Sequence, residues 1–433
     1  MEKYIKTFFK YVLIFIIIVS ILLGLLVGTA KIPREAIEEN VRDSLSFFKE
    51  HNGIEEVKVG REYTWLHLYT DSILFNIMYC VDSDKPLESV MWARFYQEIY
   101  ADINDDFIKL VEGQKEPNQQ YLRYWHGSMS VIRPLLTVLN IEQIYLINQI
   151  IMWTLAIVLF IMLFRKSKKL AIIYAIAMVI IVFPIVPLCI AYSWTFYIMI
   201  IASIIAILIE KKGDKGLFLL SFIAGILTCY FDFLDTELIT MLVPILIVLF
   251  IRKEENRLTN FKQGFIFFIN CFALWSIAYT AMWFAKWILA SAVLEVNAIK
   301  DYVKDNALVR INGLQGLKSA KQMYIGAITR NLNNLYPINL IKKEDIWKFV
   351  IGFILIIIVS FDWKNIKKKW FSGLLLIIAI IPYVRYLVLA NHSFRHAFFT
   401  FRIQIITIMA IMMIFLDCLN YKLLFKEIRL KRK

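Results

Sequence analysis

The segment at 391–402, NHSFRHAFFTFR, is unusually polar because long apolar runs flank it on both sides. His392 and His396 lie four residues apart, so they would share one face of a helix. That spacing could bind zinc, but the glutamate of the His-Glu-x-x-His motif is absent, which favours an anion site. Arg395 and Arg402 would add cations for a phosphate at the lipid headgroup level. Simple contact with headgroups, or snorkelling, is the alternative.

A second group of polar and aromatic residues lies at 121–134, YLRYWHGSMSVIRP. Arg123, Trp125, His126 and Arg133 would suit a sugar phosphate, with aromatic rings against the sugar and cations on the anion. Tyrosine and tryptophan are also enriched at membrane interfaces as anchors, so an aromatic belt explains the same pattern without a site.

Three carboxylates fall in the short stretch DFLDTE at 232–237, between two apolar runs. Asp232, Asp235 and Glu237 could bind a divalent cation, or they could hold a cationic side chain from elsewhere in the fold. Capping of the following helix is the simpler interpretation. The sequence predicts no certain cofactor, and a divalent cation at this turn is the one option.

Single ionisable residues next to apolar runs form the last group of candidates. Asp71, in YTDSILFN at 69–76, could be a base at the membrane interface or only a helix cap. Lys286 and Arg385 lie inside or at the ends of apolar runs. Ionisable groups in such places usually face the interior of a helical bundle, although snorkelling is the alternative.

The elements that must position these residues are membrane helices. The chain has 433 residues, of which 59% are hydrophobic, and its apolar runs are continuous and long enough to cross a bilayer as helices. The net charge of +14 does not indicate nucleic-acid binding, because the basic residues cluster in short loops between apolar runs. The five cysteines show no spacing typical of a metal site or a disulfide framework.

The distribution of lysine and arginine predicts about ten transmembrane helices with both termini in the cytoplasm. Residues 1–30 contain the first helix, which we expect to be an uncleaved anchor rather than a signal peptide. An extracytoplasmic loop with amphipathic interfacial helices follows at 31–142. Residues 143–294 hold helices two to seven, and 295–345 form a second extracytoplasmic loop. Residues 346–433 hold helices eight to ten and a basic tail.

Two details of this topology can be checked against a structure. The apolar stretch 170–209 is expected to form two helices, broken at Pro184 and Pro187 and at a turn at 191–193. The eighth helix is expected at 346–360. All the polar clusters described above would then lie on the extracytoplasmic face.

The order of these segments resembles the GT-C class of integral membrane glycosyltransferases. In that class a first helix precedes a long outer loop, paired helices with short turns follow, and a second large outer loop comes after the seventh helix. The resemblance implies a polyprenyl-phosphate-linked sugar as donor and an extracytoplasmic glycan, lipid or protein as acceptor. It further implies a first-loop carboxylate as base, for which Asp71 is the match, with the arginines and histidines on the leaving phosphate.

Other functions remain open at this point. A cell-surface polysaccharide polymerase or ligase also uses outer-face arginine and histidine, but usually carries its large loop late in the chain. A transporter of lipid-linked sugars predicts internal repeats and polar groups at the membrane midplane, and neither is evident. A scaffold with a folded outer loop is a further alternative. The isoleucine- and lysine-rich composition is typical of a bacterial source, which predicts the bacterial cell membrane as the location.

Overall fold

The computed structural model describes residues 2–59, 62–98, 101–314, 317, 319–338 and 369–418. Within these ranges the chain is almost wholly helical, and its strands form only two short antiparallel pairs. The elements up to residue 135 are α1 (Glu2–Ala30), α2 (Glu35–Asp43), α3 (Leu45–Glu50), β1 (Ile54–Val59), β2 (Glu62–His67), α4 (Tyr69–Tyr79), α5 (Pro86–Trp92), β3 (Arg94–Phe95), α6 (Ile103–Val111), β4 (Gln119–Gln120) and α7 (Met129–Leu135). Those after it are α8 (Ile141–Lys166), α9 (Lys168–Ile180), α10 (Ile190–Ile209), α11 (Asp214–Phe231), α12 (Ile239–Glu254), α13 (Phe261–Leu294), α14 (Lys304–Asn312), α15 (Ala320–Asn333), α16 (Trp370–Val388), α17 (Ala390–Arg395), α18 (Ala397–Thr400) and α19 (Ile405–Cys418).

Seven helical spans in the described residues are long and apolar enough to cross a membrane. They are Ile5–Ala30, Ile141–Lys166, Ile190–Lys212, Asp214–Phe231, Phe261–Leu294, Trp370–Val388 and Ala397–Cys418. Large apolar side chains project outward from them, for example Ile277 and Ile288 of α13, each 62% exposed. Such surfaces are stable only against lipid. The protein is therefore an all-α integral membrane protein.

Two further helices coincide with predicted spans but are shorter than these seven. They are α9, with 13 residues, and α12, with 16. The predicted eighth helix at 346–360 lies outside the described residues, so a total of ten stays a prediction. Pro184 and Pro187 do interrupt the stretch 170–209, in a 3-10 segment between α9 and α10. The turn predicted at 191–193 is wrong, since these residues form the first turn of α10.

The connections between successive membrane helices lie alternately at the two ends of the bundle. At the end that we call the basic end, Glu210 pairs with Lys166 (3.6 Å) and with Arg257, and Lys253 lies 3.8 Å from Asp417. The other end, which we call the loop end, carries α2 to α7, the turn at 232–237 that we call the acidic turn, α14, α15 and α17. The positive-inside rule predicts that the basic end faces the cytoplasm.

The predicted amphipathic helix after α1 is present as α2 and α3. Ile37 and Val41 of α2 are buried, while Glu38 and Arg42 form an exposed ion pair at 2.7 Å on the opposite face. The apolar face packs on the protein itself, because Asn40 of the same helix donates to the carbonyl that follows α7 at 2.9 Å. This packing fixes the long loop onto the bundle, so that it can position side chains rather than float on the surface.

Candidate functional site

The acidic turn between α11 and α12 is folded by the first of its carboxylates. Asp232 accepts hydrogen bonds from the N–H groups of Leu234 (2.9 Å) and Asp235 (3.0 Å). Leu234 adopts the left-handed backbone conformation, with φ +68°, which costs about 1 kcal/mol for a residue with a Cβ. Burial, together with the nearby Glu237 charge, raises the pKa of Asp232 to about 7. Asp232 therefore has a structural role in the turn.

The third carboxylate of the turn is held by an arginine from α16. Nε of Arg385 lies 2.8 Å from Oε1 of Glu237, and both side chains are only 6% exposed. The same guanidinium donates to the carbonyl of Leu234 at 2.6 Å and to Oγ of Ser393 at 3.1 Å. Of the three roles predicted for the acidic turn, holding a cationic side chain is the one that Glu237 fulfils. The ion pair ties the turn to α16 and α17.

Asp235, the middle carboxylate, differs from Asp232, which folds the turn, and from Glu237, which pairs with an arginine. Its side chain is buried, and among the described residues its Oδ2 has no hydrogen-bond partner. Burial raises the pKa of Asp235 well above its ordinary value, and the charges of Asp232 and Glu237 add to this. Arg385 and Arg310 act in the opposite direction. A buried carboxylate oxygen without a hydrogen bond is costly, and a carboxyl group with a strongly raised pKa is a candidate for a functional site.

Arginines from two further elements act on Asp235. Arg310 of α14 and Arg402, in the 3-10 turn between α18 and α19, both interact electrostatically with it. The guanidinium of Arg402 lies 5.6 Å from the ring centre of Tyr192, a residue of the first turn of α10. In the described part of the chain, Nε of Arg402 and the hydroxyl of Tyr192 have no hydrogen-bond partner.

His392 and His396 complete this group. Their rings lie 4.7 Å apart, as their four-residue spacing predicts, and both interact with the charge of Arg310. Neither Nδ1 atom finds a hydrogen-bond partner in the described ranges. We call the set of residues Tyr192, Asp235, Arg310, His392, His396 and Arg402 the polar cluster.

The histidines of the polar cluster are neutral rather than cationic. Burial lowers the pKa of His392 well below its ordinary value, and it lowers the pKa of His396 to about 3. The positive charge at the site therefore comes from arginines. The side chain of Arg395 is exposed, and its charge acts on His396 from the rim of the cluster.

Asp71, the predicted base, lies next to the polar cluster but is fully engaged. Its carboxylate accepts hydrogen bonds from the N–H groups of Ile190 (2.7 Å) and Ala191 (2.8 Å) and from the hydroxyl of Tyr145 (2.9 Å). It is completely buried, and burial raises its pKa to about 6 against these hydrogen bonds. It caps the start of α10, which carries Tyr192 into the cluster. Asp71 lies inside α4, so the prediction that it caps the helix at its own position in the sequence is wrong. The helix that it caps begins 119 residues later, at Ile190.

Some residues of the segment at 121–134 have structural roles, and others lie near the acidic turn. Trp125 is buried and donates its indole N–H to the carbonyl of Met282 at 2.8 Å. Arg133 is buried and donates to three backbone carbonyls, at Met78, Thr29 and Ile32. These two residues hold the long loop onto α1, α4 and α13 and do not contribute to the polar cluster. The buried Lys286 has a similar role, donating to a carbonyl at the end of α5 at 2.8 Å.

His126 and Arg123, from the same segment, lie closer to the acidic turn. The His126 ring is 5.3 Å from Phe233, inside the turn, and its Nε2 is 2.8 Å from the carbonyl of Tyr121. Burial lowers the pKa of His126 to about 3, so this histidine is also neutral. The guanidinium of Arg123 stacks 4.8 Å from the ring centre of Tyr121.

A cleft of about 350 Å³ opens beside the polar cluster, between α13 and α14. Arg123 and Arg310 supply charge to its lining, and Leu234 of the acidic turn lines it as well. Its walls are aromatic and include Trp283, Phe284 and Trp287. Phe284 is 47% exposed on the outer surface of a membrane-spanning helix, so the cleft opens toward lipid. Arg310 belongs to both the cleft and the polar cluster, which makes the two features continuous.

The described residues offer no arrangement suited to a metal ion, since no group of three or more His, Cys, Asp or Glu side chains in them is placed to bind one. Comparison of the chain with protein-family models, with curated proteins and with solved structures found no match. The function must therefore be argued from the site itself.

Two members of the polar cluster are not evident from the sequence. Arg310 lies in an ordinary polar stretch, and Tyr192 looks like one more interfacial aromatic residue. The sequence does place Arg310 in the second predicted extracytoplasmic loop, on the same side of the membrane as the acidic turn, and this is the pattern that could have pointed to it. The signal for Tyr192 is its position just after a proline-broken helix.

Proposed function

We propose that this protein is a membrane glycosyltransferase that moves a sugar from a polyprenyl-phosphate donor to an extracytoplasmic acceptor. In this proposal the loop end faces away from the cytoplasm. The acceptor is a glycan, lipid or protein that carries a hydroxyl group.

One observation carries the proposal: Asp235, a buried carboxylate whose Oδ2 has no hydrogen-bond partner among the described residues, interacts with Arg310, and Arg310 lines an aromatic cleft that opens to the bilayer. A lipid-linked phosphosugar has the matching distribution of chemistry. Its tail stays in the membrane, its phosphate needs cations, and its sugar packs well against aromatic rings. Arg310 and Arg402 are the cations of the polar cluster that would bind the phosphate, whereas Arg385 is already paired with Glu237.

The chemistry that fits these groups is a direct displacement. The acceptor oxygen attacks the anomeric carbon, while the bond from that carbon to the phosphate oxygen breaks and its electron pair leaves with the phosphate. Asp235 takes the acceptor's proton as general base, a role for which a raised pKa is suited. Arg310 and Arg402 stabilise the charge that develops on the leaving phosphate. Attack opposite the leaving group inverts the anomeric carbon.

The geometry favours Asp235 over Asp71 as the base. A base must reach the acceptor hydroxyl, and the oxygens of Asp71 already accept hydrogen bonds from two backbone N–H groups and one tyrosine. Asp71 then acts as a positioning residue, because it fixes the first turn of α10 and with it Tyr192.

Binding and turnover can be tested separately on the full-length protein in nanodiscs. Polyprenyl phosphate, the expected product, is used as the binding probe. A panel of polyprenyl-phosphate-linked sugars, with water as a minimal acceptor, reports turnover as polyprenyl phosphate released, measured by mass spectrometry. We expect Arg310→Gln and Arg402→Gln to weaken binding about tenfold or more, since each removes a charge-assisted hydrogen bond. We expect Asp235→Asn to retain binding but to lower turnover at least 100-fold.

Exposed residues of the loop end supply matched controls. Arg42→Gln and Asp105→Asn make the same chemical changes on surface helices and should alter neither measurement. The proposal fails if the unsubstituted protein neither binds polyprenyl phosphate nor releases it from any donor in the panel. If Asp235→Asn keeps its turnover while a folded Asp71→Asn variant loses it, the base is Asp71 and the transfer reaction stands.

A further inference from the structure

A second apolar groove runs along the membrane part of the bundle, away from the polar cluster. It has a volume of about 430 Å³ and lies between α8, α10 and α11, with α7 across its upper end. Trp194 of α10 lines it, whereas Tyr192 of the same helix belongs to the polar cluster. Two residues along an α-helix point about 200° apart, so the groove and the polar cluster lie on nearly opposite sides of α10.

The length of the groove matches one leaflet of a bilayer. Its lining extends from Ile144 to Leu155 on α8, from Trp194 to Ile205 on α10, and from Phe231 back to Leu220 on α11. Each helix thus contributes eleven residue steps, or about 16 Å at 1.5 Å per residue. Half of a hydrocarbon core of about 30 Å is about 15 Å. The groove begins at the loop end, so it spans the leaflet on that side.

The lining is suited to hydrocarbon and not to water. Its buried amide, Asn148, already donates to the carbonyl of Pro187 (2.8 Å) and to Oγ of Ser193 (2.9 Å), and accepts from the hydroxyl of Tyr197 (2.7 Å). A water molecule needs two to four polar partners, which these walls do not provide. An empty groove of this size would be costly, because protein interiors and lipid alike are closely packed.

One polar group at the upper end of the groove is a buried donor. The indole of Trp194 stacks on Phe231 with ring centres 4.4 Å apart, and within the described residues its Nε1–H has no hydrogen-bond partner. Phe231 is the last residue of α11, directly before the acidic turn, so this donor lies at the headgroup level. Tryptophan is favoured at that depth because one part of it is apolar and the other is a donor.

We infer that the groove binds one acyl chain of a phospholipid from the leaflet at the loop end, with an oxygen of the lipid near the Trp194 indole. A polyprenyl chain is much longer than one leaflet and fits this groove less well. The inference does not depend on the proposed transfer reaction.

Native mass spectrometry of the detergent-purified full-length protein with added phospholipid tests this site. Two variants fill the groove from different helices, Ala202→Phe on α10 and Leu227→Trp on α11. Ile277→Trp, on the lipid-facing surface of α13, is the control. We expect the unsubstituted protein and the control to retain one phospholipid that at least one correctly folded groove variant loses, with retention lowered about tenfold.

Other results of this experiment would contradict the site or the choice of ligand. Equal phospholipid retention by all four proteins would overturn the inference, because the lipid would then be bound elsewhere. Displacement of the retained phospholipid by added polyprenyl phosphate would overturn the choice of ligand. If both groove variants fail to fold, a phospholipid with a photoreactive group midway along one chain decides the matter in the unsubstituted protein. Adducts should then concentrate on residues 147–155 and 198–205, and adducts spread evenly over lipid-facing helices would contradict the site.

Discussion

Asp71 accepts the backbone N–H of Ala191 at 2.8 Å, across 120 residues of sequence. The bond joins the long loop after α1 to the start of α10, and a second bond from Ile190 strengthens it. A residue that looks like a catalytic acid in the sequence therefore acts as a helix cap between two distant segments. The consequence is that the loop and the membrane bundle should not be independently stable.

Removal of this cap should destabilise the protein. We expect Asp71→Ala to lower the free energy of unfolding by about 2 kcal/mol, since two N–H groups and the Tyr145 hydroxyl lose their buried acceptor. The midpoint of thermal unfolding in detergent measures the effect. Asp105→Asn, on the exposed side of α6, should change the same midpoint little. An unchanged midpoint for Asp71→Ala would argue against the capping role.

The ion pair between Glu237 and Arg385 should show strong coupling. Both side chains are buried, so loss of one partner leaves an uncompensated charge at a cost of about 3–5 kcal/mol. Glu237→Gln and Arg385→Gln should each be strongly destabilising, whereas the double variant should cost much less than their sum. A double-mutant cycle on thermal unfolding measures this. The exposed pair of Glu38 and Arg42 is the comparison, and additive effects at Glu237 and Arg385 would contradict the assignment.

The membrane architecture is largely predictable from the sequence, because continuous apolar runs directly reflect the cost of placing polar backbone in lipid. The positions of Pro184 and Pro187 likewise predict where the stretch before α10 is broken. The segments that supply the site are also evident, since acidic and histidine-rich stretches between apolar runs are conspicuous. These features depend on local composition, and each can be recognised from a short window of residues.

The assignment of roles within those segments is not predictable in this way. Asp232, Asp235 and Glu237 look equivalent in sequence, yet Asp232 folds the turn, Glu237 binds Arg385, and Asp235 has an oxygen with no hydrogen-bond partner in the described part of the chain. Which carboxylate keeps such an oxygen depends on Arg385, which lies 148 residues from Glu237. The neutral state of the histidines has the same origin, because it results from burial by elements that no local pattern identifies.

The side of the membrane that each end faces is open to a direct test. Single cysteines at Asp105 and Lys215, both exposed, are introduced into a Cys80→Ser background, since Cys80 is the half-buried native cysteine. A membrane-impermeant maleimide should label position 105 in intact cells and position 215 only after permeabilisation. Reversed labelling would place the polar cluster on the cytoplasmic side and contradict the proposed acceptor location.

Neutral histidines should matter less for anion binding than arginines do. Since burial lowers the pKa of His396 to about 3, it carries no charge near pH 7. We expect His392→Gln and His396→Gln to change the affinity for polyprenyl phosphate by no more than about threefold, compared with about tenfold or more for Arg402→Gln. The second ionisation of the phosphate itself, with a pKa of about 6, changes the affinity between pH 6 and 8, and this change should be the same in the unsubstituted protein and in His396→Gln if the histidines remain neutral. A rise in affinity toward pH 6 that His396→Gln removes would show that the histidine is charged.

The pH dependence of transfer should identify the base. Asp235 acts only when deprotonated, and its pKa is raised, so turnover should fall as the pH drops through a value well above the ordinary carboxyl pKa of about 4. Asp232→Asn removes one of the negative charges that raise this pKa, so the acidic limb of the pH–rate profile should move to lower pH. Arg310→Gln removes a positive charge and should move it to higher pH. Opposite shifts in these two variants are specific to a base located between the two residues. A limb that neither substitution moves would exclude Asp235 as that base.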